Sequence, residues 1–210
     1  IEKYWDIICI ANNSHTKKYS KLLSSIRELY NLDNSLKVLF VIASGKAEKI
    51  NKYYTEILND YNQIFSPKER ELFTIIKTHP ETGFQGFSYT FLSYLYNRSK
   101  VFTIFSQIEG ECRVVKEAQL CGLPVVSTPS DGGRDFWFDD YNSIICEPDE
   151  ESVKKSVDIF LEKIKKGEID RKKIRNTQIK KMNILRMNFI NKTKEIFDEF
   201  GVTIDAEDYF

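Results

Sequence analysis

The chain has 210 residues, 41% hydrophobic and 13% aromatic, which is enough apolar material for one large domain, or one domain with a helical tail, and excludes a disordered chain. Lys+Arg and Asp+Glu both number 31, so the net charge is zero and no global charge argues for a nucleic-acid partner. No run of about 18 apolar residues offers a membrane-spanning helix, and no signal peptide is visible. The chain starts at Ile1 rather than Met and reads as a piece of a longer polypeptide. Cys9, Cys112, Cys121 and Cys146 have no CxxC spacing, which argues against a zinc site or redox dithiol. Buried thiols in a reducing, cytosolic setting are expected.

Short apolar runs alternate with segments of helical period. The predicted strands are residues 6–11 (DIICIA), 37–43 (KVLFVIA), 72–77 (LFTIIK), 101–105 (VFTIF), 124–127 (PVVS) and 143–146 (SIIC). Most are continuously apolar, as in a parallel sheet covered on both faces. Helical spacing joins Tyr19, Leu22, Leu23, Ile26 and Tyr30, and then Ile50, Tyr54, Ile57 and Tyr61. Further helices are marked by Phe91, Leu92 and Leu95, by Val114, Val115 and Ala118, and by Val153, Val157, Leu161 and Ile164. The last opens at Pro148-Asp149 and closes at Lys165-Lys166-Gly167. Alternating strands and helices predict a doubly wound, mainly parallel α/β domain with right-handed crossovers. Residues 154–194 hold 14 Lys or Arg against 4 Asp or Glu, whereas residues 195–210 hold six acids and no base. The plain reading is a solvated C-terminal helix with a polar end. The sharper one is a basic face toward anionic lipid headgroups or a phosphorylated acceptor.

Ligands in such sheets bind beyond the carboxyl ends of the strands. The loops there are residues 12–16, 44–46, 78–85, 106–112 and 128–134. The fourth carries Glu109-Gly110-Glu111-Cys112 and runs into a helix through about Cys121. First-turn amides of that helix make a cradle for phosphate or sugar hydroxyls, and Gly110 allows close backbone approach. Glu109 in the loop and Glu117 in the second helical turn can both meet a ligand over the helix start. Amides suit phosphates and carboxylates suit hydroxyls, so a polyol on a diphosphate fits. Taken by spacing alone, the two acids fit ordinary surface positions equally well.

The spacing has company. Glu109 and Glu117 are followed by Ala118, Gly122, Leu123, Pro124, Val125 and Val126, then by Gly132-Gly133, by residues 140–146 (DYNSIIC), and by Pro148-Asp149. This segment resembles the group 1 glycosyltransferases of GT-B fold, whose hallmark is E-x7-E, then E-A-x-x-x-G-x-P-V-V and a glycine-rich turn. The specific part covers about a quarter of the chain, and a weaker match extends it over most of residues 4–165.

The resemblance implies a Rossmann-like C-terminal half of a GT-B fold. Residues 1–166 would form the nucleotide-sugar-binding domain and residues 167–210 a helical extension packed on it, with the N-terminal acceptor domain absent from this chain. It implies retaining transfer of a hexose from a UDP- or GDP-sugar to a glycan or lipid-linked acceptor, with no metal or other cofactor. Glu109 would be the catalytic-centre acid contacting the donor sugar, and Glu117 would hold the ribose hydroxyls. Gly110, Glu111, Cys112 and Arg113 would hold sugar and diphosphate. Lys17, with Lys18 beside it, matches the basic position after the first strand, and Ser44-Gly45 matches the turn after the second. His79 lies near the base-binding backbone, but His79 and His15 read as turn and loop residues.

The chain departs from the pattern at several positions, Ser143 among them, where Gly is usual. Asn12 stands where Arg is usual, Glu111-Cys112 where an aromatic and Gly are usual, and Arg113 where Leu is usual. Arg113 or Arg134 could replace the missing cation. Glu111 could either add negative charge beside the donor or point to solvent and pair with Arg113. Bacterial surface-polysaccharide assembly is the usual setting of the family, which implies a cytoplasmic protein or one peripheral to the inner face of the plasma membrane. Two competing readings are a degenerate, non-catalytic partner module of a transferase complex and another enzyme on this scaffold, such as a sugar-nucleotide epimerase.

Overall fold

The apolar runs pair into one sheet because each is apolar on both sides, so its two faces must both be covered. The computed structural model describes residues 2–12, 17–30, 35–43, 47–77 and 87–202. In chain order the elements are β1 (Trp5–Asn12), α1 (Tyr19–Tyr30), β2 (Val38–Ala43), α2 (Ala47–Ile64), α3 (Pro67–Arg70), β3 (Phe73–Lys77) and α4 (Tyr89–Asn97). Then follow β4 (Ser99–Ile104), α5 (Arg113–Leu120), β5 (Val125–Ser127), a 3-10 turn (Arg134–Trp137), β6 (Ser143–Ile145), α6 (Glu150–Lys165) and α7 (Arg171–Glu199). The predicted strands fall within two residues of these bounds. Neither α3 nor the 3-10 turn was expected, since each spans only four residues. α3 is set by local chemistry, with Ser66 and Glu69 forming a reciprocal capping box and Pro67 in its first turn.

All strand pairs are parallel, in the order β3-β2-β1-β4-β5-β6. The order reverses between β1 and β4, so a crevice opens at their carboxyl ends. Successive side chains serve opposite faces. Ile7, Cys9, Val38, Phe40, Ile42 and Val101 pack beneath α1, α2 and α6. Ile8, Ile10, Leu39, Val41, Phe102 and Ile104 pack toward α4 and α5. Tyr19 ties the start of α1 to the sheet by donating its hydroxyl to the Ala11 carbonyl, 3.0 Å away. This sets where the chain just before α1 meets the crevice.

The C-terminal extension is packed at its start, and its far half is largely exposed. Ile174 and Gln178 are buried, while Phe189 is 56% and Phe200 78% exposed. Arg171 anchors it. Its guanidinium donates to the carbonyls of Cys121 (2.8 Å), Ser99 (2.9 Å) and Tyr96 (3.3 Å), closing the ends of α4 and α5. Among the described residues, no helix is long and apolar enough to cross a membrane.

Gly122 lies against that anchor. Gly122 and Gly167 both terminate helices in the same hydrogen-bond pattern, with the amides of Gly122 and Leu123 donating to Gln119 and Ala118, and those of Gly167 and Glu168 donating to Ile164 and Lys163. Both have positive φ, +77° and +73°. A Cβ on Gly122 would lie 2.6 Å from the Cβ and carbonyl oxygen of Arg171, whereas one on Gly167 would meet nothing within 4 Å. Gly167→Ala is therefore expected to cost about 1 kcal/mol from the left-handed backbone alone, and Gly122→Ala about 2–4 kcal/mol, because overpacking adds to the same strain. Urea unfolding of the two variants checks this, and equal losses would refute the packing role of Gly122.

Candidate functional site

The crevice is built from two loops that zip together. After β4 the chain forms a bridge between Ile108 and Asp131. The Glu109 amide donates to the Asp131 carbonyl and the Asp131 amide to the Gln107 carbonyl, both at 2.9 Å. The loop after β5 is thus the seat of the Glu109–Cys112 segment. Gly132 makes the seat possible. It has φ +113°, and a Cβ there would stand 1.8 Å from the Glu109 carbonyl oxygen. Gly133 lies under the Gly110 carbonyl at 3.4 Å from its ideal Cβ, while Gly110 itself has open space on its Cβ side. Trp137 is buried and clips the segment from the side, donating its indole N–H to the Glu111 carbonyl at 2.9 Å.

The segment turns into α5 through Cys112, which is left-handed (φ 51°, ψ 70°) and makes no side-chain cap. First-turn amides of α5 therefore remain without a side-chain acceptor at the crevice. The Cys112 thiol is buried. Burial, then the nearby Glu109 charge, push it up to about 12, so it stays a neutral packing group. Cys9 is likewise held up at about 12 by burial.

Glu109 and Lys17, 92 residues apart, form an ion pair with side chains 11% and 13% exposed. This contact joins the entry to α1 with the loop after β4 across the switch in strand order. Glu117 sits on the other flank of α5, where the Tyr96 hydroxyl donates to its carboxylate at 3.3 Å. Burial raises the Glu117 pKa above the usual glutamate value, and the Tyr96 hydroxyl, then Arg113 and Lys116, oppose that rise. The two acids thus flank the open start of α5, Glu109 toward α1 and Glu117 toward α4.

Glu111 is half exposed and pairs with Lys116, not with Arg113. The left-handed residue between Glu111 and the helix turns it back over α5, where Lys116 lies. Arg113 is exposed and acts on Glu117 one helical turn away. Arg134 is fully buried and holds Asp135 with two nitrogens at 2.9 and 2.7 Å, leaving Nη1 without a partner among the described residues. Its charge reaches Cys112. Ser44, Gly45, His15 and His79 lie outside the described residues, as does the Asn12 side chain. Among the described residues, no group of three or more His, Cys, Asp or Glu could hold a metal ion. Tyr96 and Trp137 were missed from sequence, because an aromatic at helical spacing reads as core and its polar tip is positioned only by the fold.

The sequence profile of the family described as Glycosyl transferases group 1 matches residues 1–181. Solved structures share the fold. A glycosyltransferase from Rickettsia africae superposes with TM-score 0.71 at 16% identity, over 93% of this chain and 48% of that one. Anabaena HepE in complex with UDP superposes with TM-score 0.69 at 14% identity, over 93% and 49%. The C-terminal domain of the group 1 family transferase LpcC from Francisella tularensis does so with TM-score 0.59 at 17% identity, over 88% and 87%. The chain spans between about a third and a half of the length of several such structures. No curated protein matches significantly by sequence.

Glu117 gives a stability test of the site. Its folded-state pKa is raised, so the folded chain binds that proton more tightly than the unfolded one, and stability rises as pH falls toward the ordinary glutamate range. At neutral pH the ionised carboxylate is a burden. Glu117→Gln is expected to stabilise the fold by less than about 1 kcal/mol at pH 7, allowing for partial solvent screening. The gain should shrink as pH falls through the raised pKa. Denaturant unfolding at several pH values measures it, and a destabilised variant at pH 7 would overturn the assignment.

Proposed function

The chain belongs to the group 1 glycosyl transferases, and on that premise we propose that it is the donor-binding half of a nucleotide-sugar-dependent transferase. The carrying observation is the Lys17–Glu109 pair at the crevice, beside the uncapped start of α5. In this reading the α5 amides and Lys17 receive the diphosphate. Glu109 exchanges part of its contact with Lys17 for hydroxyls of the donor sugar, and Glu117 takes the ribose hydroxyls on the α4 side. Gly110 lets the backbone reach the ligand. Ser44 and Gly45 keep the donor-binding role that the family pattern implies.

Charge that develops on the leaving diphosphate is met by the helix amides and Lys17, with no metal ion required. Arg134 adds field rather than contact, since it is buried and committed to Asp135. Transfer proceeds with retention, moving a hexose from a UDP- or GDP-sugar to a glycan or lipid-linked acceptor. An N-terminal domain supplies the main part of the acceptor site, so this chain alone binds nucleotide but turns over poorly. The UDP held by the Anabaena structure is consistent with a uridine donor. Polysaccharide assembly in the cytoplasm, or at the inner face of the plasma membrane, is the setting proposed.

The degenerate-module alternative drew on Asn12 and Glu111. Glu111 is turned onto Lys116 and half exposed, so it does not load the loop with uncompensated charge, and this favours the donor-binding reading. Calorimetry with UDP, GDP and ADP separates the two. Binding of one nucleotide is expected, with Glu117→Ala weakening it by about 1–3 kcal/mol, roughly 5- to 150-fold in affinity. Failure of all three nucleotides to bind would favour the degenerate module, and unchanged affinity in the variant would remove Glu117 from the site.

A further inference from the structure

A second cleft opens on the far side of Glu109 from Glu117. It measures about 310 Å³ and is lined by Lys18, Lys21, Phe105, Gln107, Thr128, Pro129 and Pro148. These residues come from the start of α1, the ends of β4 and β5, and the turn before α6. The cleft therefore lies at the same carboxyl edge of the sheet as Glu109, but on the α1 and α6 face, whereas Glu117 stands on the α4 and α5 face. Gln107 is two residues from Glu109, and Lys18 follows its partner Lys17.

The lining has a definite chemistry. Phe105 and Thr128 form a buried floor, 3% and 4% exposed. Pro129 and Pro148 supply rigid apolar walls. Two ammonium groups stand at the α1 side, and among the described residues no carboxylate lines the cleft. Neither lysine has an ion-pair partner among the described residues. Lys18 is exposed and is held in a left-handed conformation, φ 52°. Lys21 acts on Asp149, which already accepts from the Ser152 amide at 2.8 Å as the cap of α6. The described lining therefore carries two cations over an apolar floor. Such a site suits a compact phosphate anion joined to a carbon skeleton.

We propose that this cleft receives a phosphate carried by the acceptor, held by Lys18 and Lys21 with its adjoining carbon atoms against Phe105 and the two prolines. The proposal rests on the donor reading, which places the nucleotide at Glu117 and the sugar at Glu109. The cleft borders the loop after β4 on its α1 side, two residues from Glu109, so a molecule seated there would present its hydroxyls beside the sugar.

The test uses the whole chain, isotopically labelled for amide NMR, titrated with glycerol 1-phosphate and with glycerol, each with and without saturating UDP. Shifts at Lys21 and Thr128 are expected with glycerol 1-phosphate only, and they should persist with UDP bound. The double substitution K18A/K21A should weaken that binding at least fivefold and leave UDP affinity within twofold, while K18R/K21R should keep both. Lysine-dependent sedimentation with phosphatidylglycerol vesicles, but not with phosphatidylcholine vesicles, would assign the phosphate to a membrane lipid. Lysine-dependent binding of glycerol 1-phosphate alone would assign it to a soluble ester. Displacement of glycerol 1-phosphate by UDP, or a parallel loss of UDP affinity in K18A/K21A, would give the lysines to the donor and overturn the proposal. Equal binding by wild type and variant would also overturn it. A chain that binds glycerol 1-phosphate but no nucleotide would refute the donor reading and the acceptor assignment with it.

Discussion

The site depends on an atom that is missing. Gly132 has no Cβ, and the Glu109 carbonyl occupies the place where one would stand. Only that closeness lets the loops after β4 and β5 exchange hydrogen bonds at Asp131. The exchange holds the Glu109 backbone rigid over the crevice. A loop alone would not do so, because ordering its residues costs about 1–2 kcal/mol each in backbone entropy. Once Glu109 is fixed, Lys17 has a partner, and the entry to α1 is drawn to the same point. Trp137 and Cys112 then direct the chain into α5. The order of causes runs from one glycine to a loop pair and from there to the ion pair.

Much of the architecture was legible from the residues. Strands buried on both faces appear as unbroken apolar runs, and Ile7 through Ala11 or Val38 through Ile42 admit no other packing. Glu109 and Glu117 were singled out by pattern, and the structure puts them on either flank of the α5 start. Illegible were the facts that only folding creates. Lys17 and Glu109 are 92 residues apart, so their pairing leaves no local trace. The sequence leaves Glu111 either beside the donor or paired with Arg113 two residues on. The left-handed Cys112 breaks helical spacing between them and delivers Glu111 to Lys116. Tyr96 carries no sequence signal of a site, yet its hydroxyl is the group that meets Glu117.

The site also departs from what folding alone would select. Glu117 is a half-buried acid that, among the described residues, accepts one long hydrogen bond from the Tyr96 hydroxyl, and burial holds its pKa up. A neutral side chain of the same shape would suit the fold better. A carboxylate kept in such a place points to a ligand that completes its hydrogen bonding. Cys112 is a second departure, since a left-handed backbone with a side chain carries strain of about 1–2 kcal/mol that glycine would not. Its buried thiol returns part of that through packing.

The basic C-terminal stretch shows why counting charges misleads. Read as a sum, residues 154–194 promise a strongly positive face. The structure spends several of those charges internally. Arg171 is enclosed among three carbonyls, Lys181 donates to the Phe138 carbonyl at 3.0 Å, and Lys173 lies 3.8 Å from the centre of the Tyr141 ring. These cations fasten α7 to α5 and to the turn before β6, so they are part of the packing. The positive charge that remains beside the crevice is smaller but better placed. Lys17 is engaged with an acid that a donor can replace, and Lys18 and Lys21 border an apolar floor without ion-pair partners among the described residues. Position relative to Glu109, not the local total, decides which lysines can act on an anion.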